Sequence, residues 1–125
     1  MSILLDSDVV IEILRSRNQS VLLQWEALAK TAEVVLFSPI TAAEVWAGAR
    51  PIEQGATSRF FNFLTCIPLD YAIGHLAGEL LRQFSKSHGL KIADALIAAT
   101  AIHHKAALWT RNQKHYPMPQ LNFYQ

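Results

Sequence analysis

A chain of 125 residues, 51% hydrophobic and 17% charged, is long enough for one domain with a generous core and a surface thin in charge. Eleven Lys and Arg against ten Asp and Glu leave a net charge of +1, which excludes bulk attraction to nucleic acid or membrane as the basis of function. No apolar run approaches the ~18 residues of a membrane span, no secretory leader pattern opens the chain, and the single Cys66 allows no internal disulfide, so it reads as cytoplasmic with a buried, reduced thiol.

The first predicted element is an apolar strand over 2–6 that ends on Asp6. Asp8 is a candidate N-cap for a helix over 9–15, and a second helix is expected over 21–30. A β-branched and aromatic strand over 33–37 follows. Ser38-Pro39 then sets a capping residue before a proline at the first helical position, opening a helix over 40–50 that carries Glu44. A helix over 57–64 and a strand over 66–69 precede Asp70, which caps a long helix over 71–86 terminated by His88-Gly89. The helix over 91–105 is almost entirely Ala, Ile and Leu between Ile92 and Ile102, with Asp94 as the only charge there. A strand over 107–110, and a weak fifth over 121–124 after Pro117 and Pro119, complete the pattern.

Strands alternating with helices across short loops predict an α/β fold. The expected form is a three-layer α/β/α sandwich around a mostly parallel sheet of four to five strands, with 1–125 as a single domain. Ligands of such sheets bind outside the carboxyl ends of the strands. Asp6, Glu44, Asp94 and the segment Thr110-Arg111-Asn112 are all expected at that edge.

Asp6, Glu44 and Asp94 lie in apolar stretches, where an ionised carboxylate costs several kcal/mol unless something compensates it. Only Lys91, near Asp94, offers a basic partner. Each acid has an ordinary reading: Asp6 starts a turn, Glu44 rides a solvated helix face, and Asp94 answers the helix dipole in a first turn. Glu12, Glu26, Glu33, Glu53 and Glu79 read as solvated faces. Jointly the three acids point to a shared divalent cation. Oxygen donors without a Cys or His cluster select Mg²⁺ or Mn²⁺ over zinc, since adjacent His103 and His104 point to different helix faces. Carboxylate-held Mg²⁺ is the arrangement of phosphodiester hydrolases. Arg15, Arg111 and Lys114, with Arg17 and Arg50, bracket the acids as candidate phosphate contacts, each of them also an ordinary surface charge. Trp25, Trp46 and Trp109 could stack on bases, although their apolar faces favour core packing.

Four blocks carry a resemblance: Ile3-Leu4-Leu5-Asp6-Ser7-Asp8-Val9-Val10-Ile11, Ser38-Pro39-Ile40-Thr41-Ala42-Ala43-Glu44-Val45, Ile92-Ala93-Asp94-Ala95-Leu96-Ile97-Ala98-Ala99-Thr100 and Leu108-Trp109-Thr110-Arg111-Asn112. In order and spacing they resemble the signature blocks of PIN-domain ribonucleases, VapC-type toxins above all, from Ile3 to about His115. The resemblance implies a Mg²⁺- or Mn²⁺-dependent endoribonuclease with Asp6, Glu44 and Asp94 as metal-site acids and Asn112 at a fourth catalytic position. It also implies an RNA substrate, a cognate antitoxin that occludes the site, and a homodimer or toxin–antitoxin hetero-oligomer.

Two departures matter. Asp8 stands where the family commonly has Asn, and Asn112 stands where many members have an acid. Asn112 can ligate or hydrogen-bond but brings no charge, and Asp8 and Thr110 are expected to shape the site. Two other readings stay open. Leu4-Leu5-Asp6-Ser7-Asp8 also fits the strand and Asp-x-Asp of haloacid-dehalogenase-like phosphatases, whose first Asp is a nucleophile, although that family needs a later Lys and paired acids. The other is a catalytically degenerate PIN fold kept as a binding module, for which Asn112 is the best support.

Overall fold

The computed structural model describes residues 1–125. Four strands, β1 (Ser2–Leu5), β2 (Val34–Phe37), β3 (Thr65–Cys66) and β4 (Ala107–Trp109), pair in parallel in the order β3-β2-β1-β4. Six helices flank the sheet: α1 (Ser7–Arg15), α2 (Gln19–Ala29), α3 (Pro39–Gly48), α4 (Gln54–Phe63), α5 (Tyr71–His88) and α6 (Ile92–His103). The strands are apolar on both faces because both faces are covered. With a side-chain period of two, Ile3, Leu5, Phe37 and Trp109 enter one core with Val9 and Val10 of α1, Leu28 of α2, Val45 of α3 and Phe61 of α4. Leu4, Leu36 and Leu108 enter the other, with Ile73, Ala77 and Leu80 of α5 and the Ala-rich face of α6. Ile3, Leu4 and Leu5 are at most 1% exposed, and each such burial contributes about 1.5–3 kcal/mol.

The chain runs from β1 to β2 and β3 on one side, then returns to place β4 against β1's other edge. The order therefore reverses between β1 and β4, and the crevice beyond their carboxyl ends is where such sheets bind ligands. That reversal positions the site.

Helix starts follow the capping chemistry. Ser38 accepts the Ile40 N–H at 3.1 Å and Asp70 the Ile73 N–H at 3.0 Å, while Gly89 closes α5 at φ 65°, a conformation L residues with a Cβ rarely adopt. Four expectations need correction. Asp6, not Asp8, occupies the cap position of α1, and Asp8 lies within its first turn. The third strand shrinks to two residues, because Pro68 has no N–H to continue the ladder beyond the Ile67 bond to Phe37 (2.8 Å). The fifth strand reduces to one parallel bridge, Leu108 with Phe123, where the turn after Pro119 leaves only residues 122–124 beside β4. Cys66 is exposed rather than buried, since it lies on that short edge strand. No helix is long and apolar enough to cross a membrane.

Candidate active site

Asp6 is the hinge between β1 and α1. Its amide donates to the Trp109 carbonyl at 3.0 Å, one bond beyond the β1–β4 ladder, and its extended backbone (φ −80°, ψ 160°) turns the carboxylate over the start of α1. Oδ1 accepts the Ser7 N–H at 2.8 Å. Oδ2 accepts the Thr110 hydroxyl at 2.9 Å and the Tyr116 hydroxyl at 2.7 Å. Asp6 is thus 7% exposed and satisfied by neutral donors alone.

Asp94 reaches the same place from the first turn of α6, with its Oδ1 3.4 Å from the Tyr116 hydroxyl oxygen. Two carboxylates therefore face one phenol, and their nearest oxygens lie no farther apart than those two contacts laid end to end. Burial first, then the Asp6 charge, pushes Tyr116 far above the usual tyrosine range. It keeps its proton and donates it over the shorter contact, to Asp6. Burial, and next the Asp6 charge, also raises the Asp94 carboxyl, against the opposing pull of His115, Tyr116 and Lys91.

Glu44 is placed by the way α3 docks. The buried Thr41 hydroxyl donates to the Leu5 carbonyl at 3.2 Å, and Glu44 follows one turn later on the same helix. It is exposed, contrary to what its apolar neighbours in sequence suggest, because Thr41 and Val45 carry the buried stripe of α3 and Glu44 lies off it. Its carboxyl is nonetheless raised by partial burial, with Asp6 and Asp94 adding to the rise and the Ser7 hydroxyl opposing it. The three acids lie within each other's electrostatic reach.

Asp8 and Asn112 form a second layer. Asp8 Oδ2 accepts the Arg111 N–H at 3.0 Å and the Asn112 side-chain N–H at 2.9 Å, while the Asn112 backbone N–H donates to Thr110 Oγ1 at 3.1 Å. Asp8 Oδ1 is buried without a partner, and the carboxyl is pushed up to about 6, chiefly by burial and then by Asp6. Asn112 is therefore joined to Asp8 through its amide nitrogen.

The basic candidates separate. Arg111 borders the acids. Lys114 is exposed on the short turn Gln113–His115. Arg15 sits at the far end of α1, roughly 13 Å along the helix from Asp6 at 1.5 Å per residue, and is bound to Glu53 at 3.1 Å and the Gly48 carbonyl at 3.3 Å. The structure does not bring Arg15 to the acids.

Sequence reading missed Tyr116 and Glu12. Nothing local marks Tyr116, whose role depends on the return of the chain over the site. Glu12 had a signal, being three residues from Val9 on the buried stripe of α1. It is 9% exposed, and its Oε1 takes Arg17 at 2.7 Å and Arg111 at 3.5 Å. Among the tryptophans, Trp109 is buried and Trp25 packs on Phe60, while Trp46 is 40% exposed.

No three His, Cys, Asp or Glu side chains close around a common point as they stand. The arrangement is a carboxylate pair, Asp6 and Asp94, with Glu44 set more loosely beside it. An all-oxygen set in which the Glu44 and Asp94 carboxyls are raised, with one orphaned buried oxygen on Asp8, fits a hard divalent cation. Such an ion keeps part of its water and uses only one or two carboxylates.

The PIN domain family matches residues 3–120. Ribonuclease VapC19 of Mycobacterium tuberculosis is 34% identical over 116 residues, 92% of each chain. Among solved structures, VapBC2 from Rickettsia felis bound to a DNA fragment from its promoter aligns with a TM-score of 0.82 at 27% identity, over 99% of this chain and 98% of that one. A toxin–antitoxin complex from Klebsiella pneumoniae aligns at 0.74 and 28% identity, over 94% and 93%.

Proposed function

This chain belongs to the PIN-domain family, and on that premise we propose that it is the ribonuclease toxin of a VapBC-type toxin–antitoxin pair. Residues 1–125 then form one catalytic unit that hydrolyses RNA phosphodiesters beside Asp6, Glu44 and Asp94. The observation that carries this reading is the single Tyr116 hydroxyl set between the Asp6 and Asp94 carboxylates at the reversal of the sheet.

Asp6 and Asp94, with Glu44 directly or through water, would hold Mg²⁺ or Mn²⁺. When bound, the ion lowers the pKa of a water beside the phosphate and neutralises charge growing on the leaving oxygen. The chain's own residues prepare the rest. Ser7, Thr110 and Tyr116 fix Asp6 in one orientation, so no reorganisation is needed at the moment of reaction. Glu44, exposed beside Asp6 and Asp94, is the group placed to take a proton from the attacking water. Asp8 holds the Arg111 backbone and Asn112 at the rim, and Arg111 and Lys114 meet RNA phosphates. Arg15 is committed to Glu53 and takes no part.

The partner is a cognate antitoxin, and the assembly a homodimer or a toxin–antitoxin hetero-oligomer. The phosphatase reading gives way to the family membership. The Asp8 it would use is held by Arg111 and Asn112. Asp6→Asn and Asp94→Asn should each slow Mg²⁺- or Mn²⁺-dependent cleavage of a mixed RNA pool by at least about 100-fold. A wild-type protein that releases no fragments with either ion would leave the fold as a binding module.

A further inference from the structure

A polar groove of about 320 Å³ opens beside the acids, between the start of α2 and the turn after β4. Asn18, Ser20, Gln24, Arg111, Gln113 and Tyr124 line it, and none of its lining residues is acidic. Thr110 joins it to the site, since it borders the groove and donates to Asp6 at 2.9 Å. Arg111 is pinned twice, by its amide to Asp8 at 3.0 Å and by its guanidinium to Glu12 at 3.5 Å. The same Glu12 oxygen holds Arg17, from the α1–α2 loop, at 2.7 Å.

Glu12 poses an energetic question. A buried ion pair is commonly no more stabilising than well-packed apolar residues of the same volume. Its return here is geometric: one carboxylate, on a largely buried side chain, meets guanidinium groups from two different loops, while the Arg17 and Arg111 side chains remain 57% and 41% exposed with donors to spare. The groove's contents complement this. Amide side chains offer both donor and acceptor to base edges, and half-buried Tyr124, packed on Trp109 at 5.3 Å, adds an aromatic surface.

We propose that this groove is the subsite for single-stranded RNA flanking the scissile phosphate, and that Glu12 is a positioning residue that holds Arg111 in the groove wall, with Arg17 beside it on the same carboxylate oxygen, for the RNA backbone. The proposal rests on the ribonuclease reading and adds where the strand lies.

The test measures anisotropy of a fluorescein-labelled, mixed-sequence 12-nucleotide RNA in EDTA over a salt series, beside cleavage kinetics in Mn²⁺. Arg111→Ala should weaken binding roughly three- to tenfold and flatten the log Kd against log salt slope by about 0.7 for one lost phosphate contact. Glu12→Gln is the sharper variant. Removing a negative charge near a polyanion should tighten binding if Glu12 is only a charge, whereas loss of positioning weakens it and raises KM more than it lowers kcat. Glu12→Asp should recover part of the loss. Gln24→Ala and Gln113→Ala should shift the preferred cleavage sequence. A folded Glu12→Gln protein that binds as tightly or more tightly overturns the positioning role. Should that variant not fold, unchanged binding by both Arg17→Ala and Arg111→Ala overturns it as well. RNA binding without any cleavage by wild-type protein would sink the catalytic reading and leave the groove standing. Cleavage with Arg111→Ala unchanged in KM would do the reverse.

Discussion

Tyr116 is the residue on which the two acids depend. Tyr116→Phe keeps the ring packed but removes the donor to Asp6 and the contact with Asp94. The lost hydrogen bond should lower stability by about 1–2 kcal/mol, and Asp94, left without its phenol contact, together with a less restrained Asp6 should lower cleavage by about 10- to 100-fold. Thermal melting and Mn²⁺ titration check the two effects separately. Asp94 behaves oppositely. Its charge is disfavoured by burial and by Asp6, so Asp94→Asn should leave the metal-free protein as stable as wild type or more so while abolishing cleavage. A large fall in Tm for that variant would make Asp94 a structural partner instead. These acids were legible in the sequence because a carboxylate inside an apolar run is conspicuous. Tyr116 was not, since a tyrosine before a proline looks the same wherever it folds. Exposed Glu44 shows the limit of the argument from neighbours: an apolar stretch predicts a buried helix, not which of its faces reaches the sheet edge.

At the level of elements, Glu53 ties α1 to the turn after α3. Its carboxylate meets Arg15 at 3.1 Å and Arg50 at 2.9 Å, and accepts the Arg50 N–H at 2.9 Å. Those partners, Arg50 first, hold its carboxyl down at about 2. A depressed acid adds stability that is present above its ordinary value of 4.5 and is lost as pH falls through about 2. The Tm difference between wild type and Glu53→Gln should therefore be full at neutral pH and should shrink between about pH 4.5 and 2. A constant difference across that window would show that the ion pairs contribute nothing. Capping chemistry at Ser38, Asp70 and Gly89 made α3 and α5 readable in advance. Asp6 and Asp8, two residues apart, compete for one cap, and the sequence does not decide between them. Here the site takes Asp6 for the cap position, and Asp8 turns to the loop after β4. Neighbouring sequence does not reveal how Glu12 and Glu53 are held, since Arg111 reaches Glu12 from the loop after β4 and Arg15 reaches Glu53 from α1.

For the molecule as a whole, a pocket of acids satisfied largely by neutral donors invites a cation from outside. A cognate antitoxin should therefore place an Arg or Lys side chain among Asp6, Glu44 and Asp94, in competition with the metal. Mn²⁺ should weaken the toxin–antitoxin complex in proportion to its occupancy of the site. Asp6→Ala should relieve growth arrest yet still form the complex. A complex whose Kd ignores Mn²⁺ would place the antitoxin elsewhere. The three-layer plan was legible from alternating strands and helices, but the reversal between β1 and β4 was not, because strand order depends on pairings between distant segments.

That pairing has a consequence in time. Asp6 and the Tyr116 that completes its site are separated by 110 residues. At a ribosomal pace of about 5–20 residues per second, roughly 5 to 20 seconds pass between making one and making the other. Through that interval β1 has no β4 to join, and the acids have no phenol between them. On the proposed reading, a chain that stops short of β4 should cleave no RNA, which a truncation ending before Ala107 would check. The two-acid geometry around Tyr116 is complete only once nearly the whole of these 125 residues has been made.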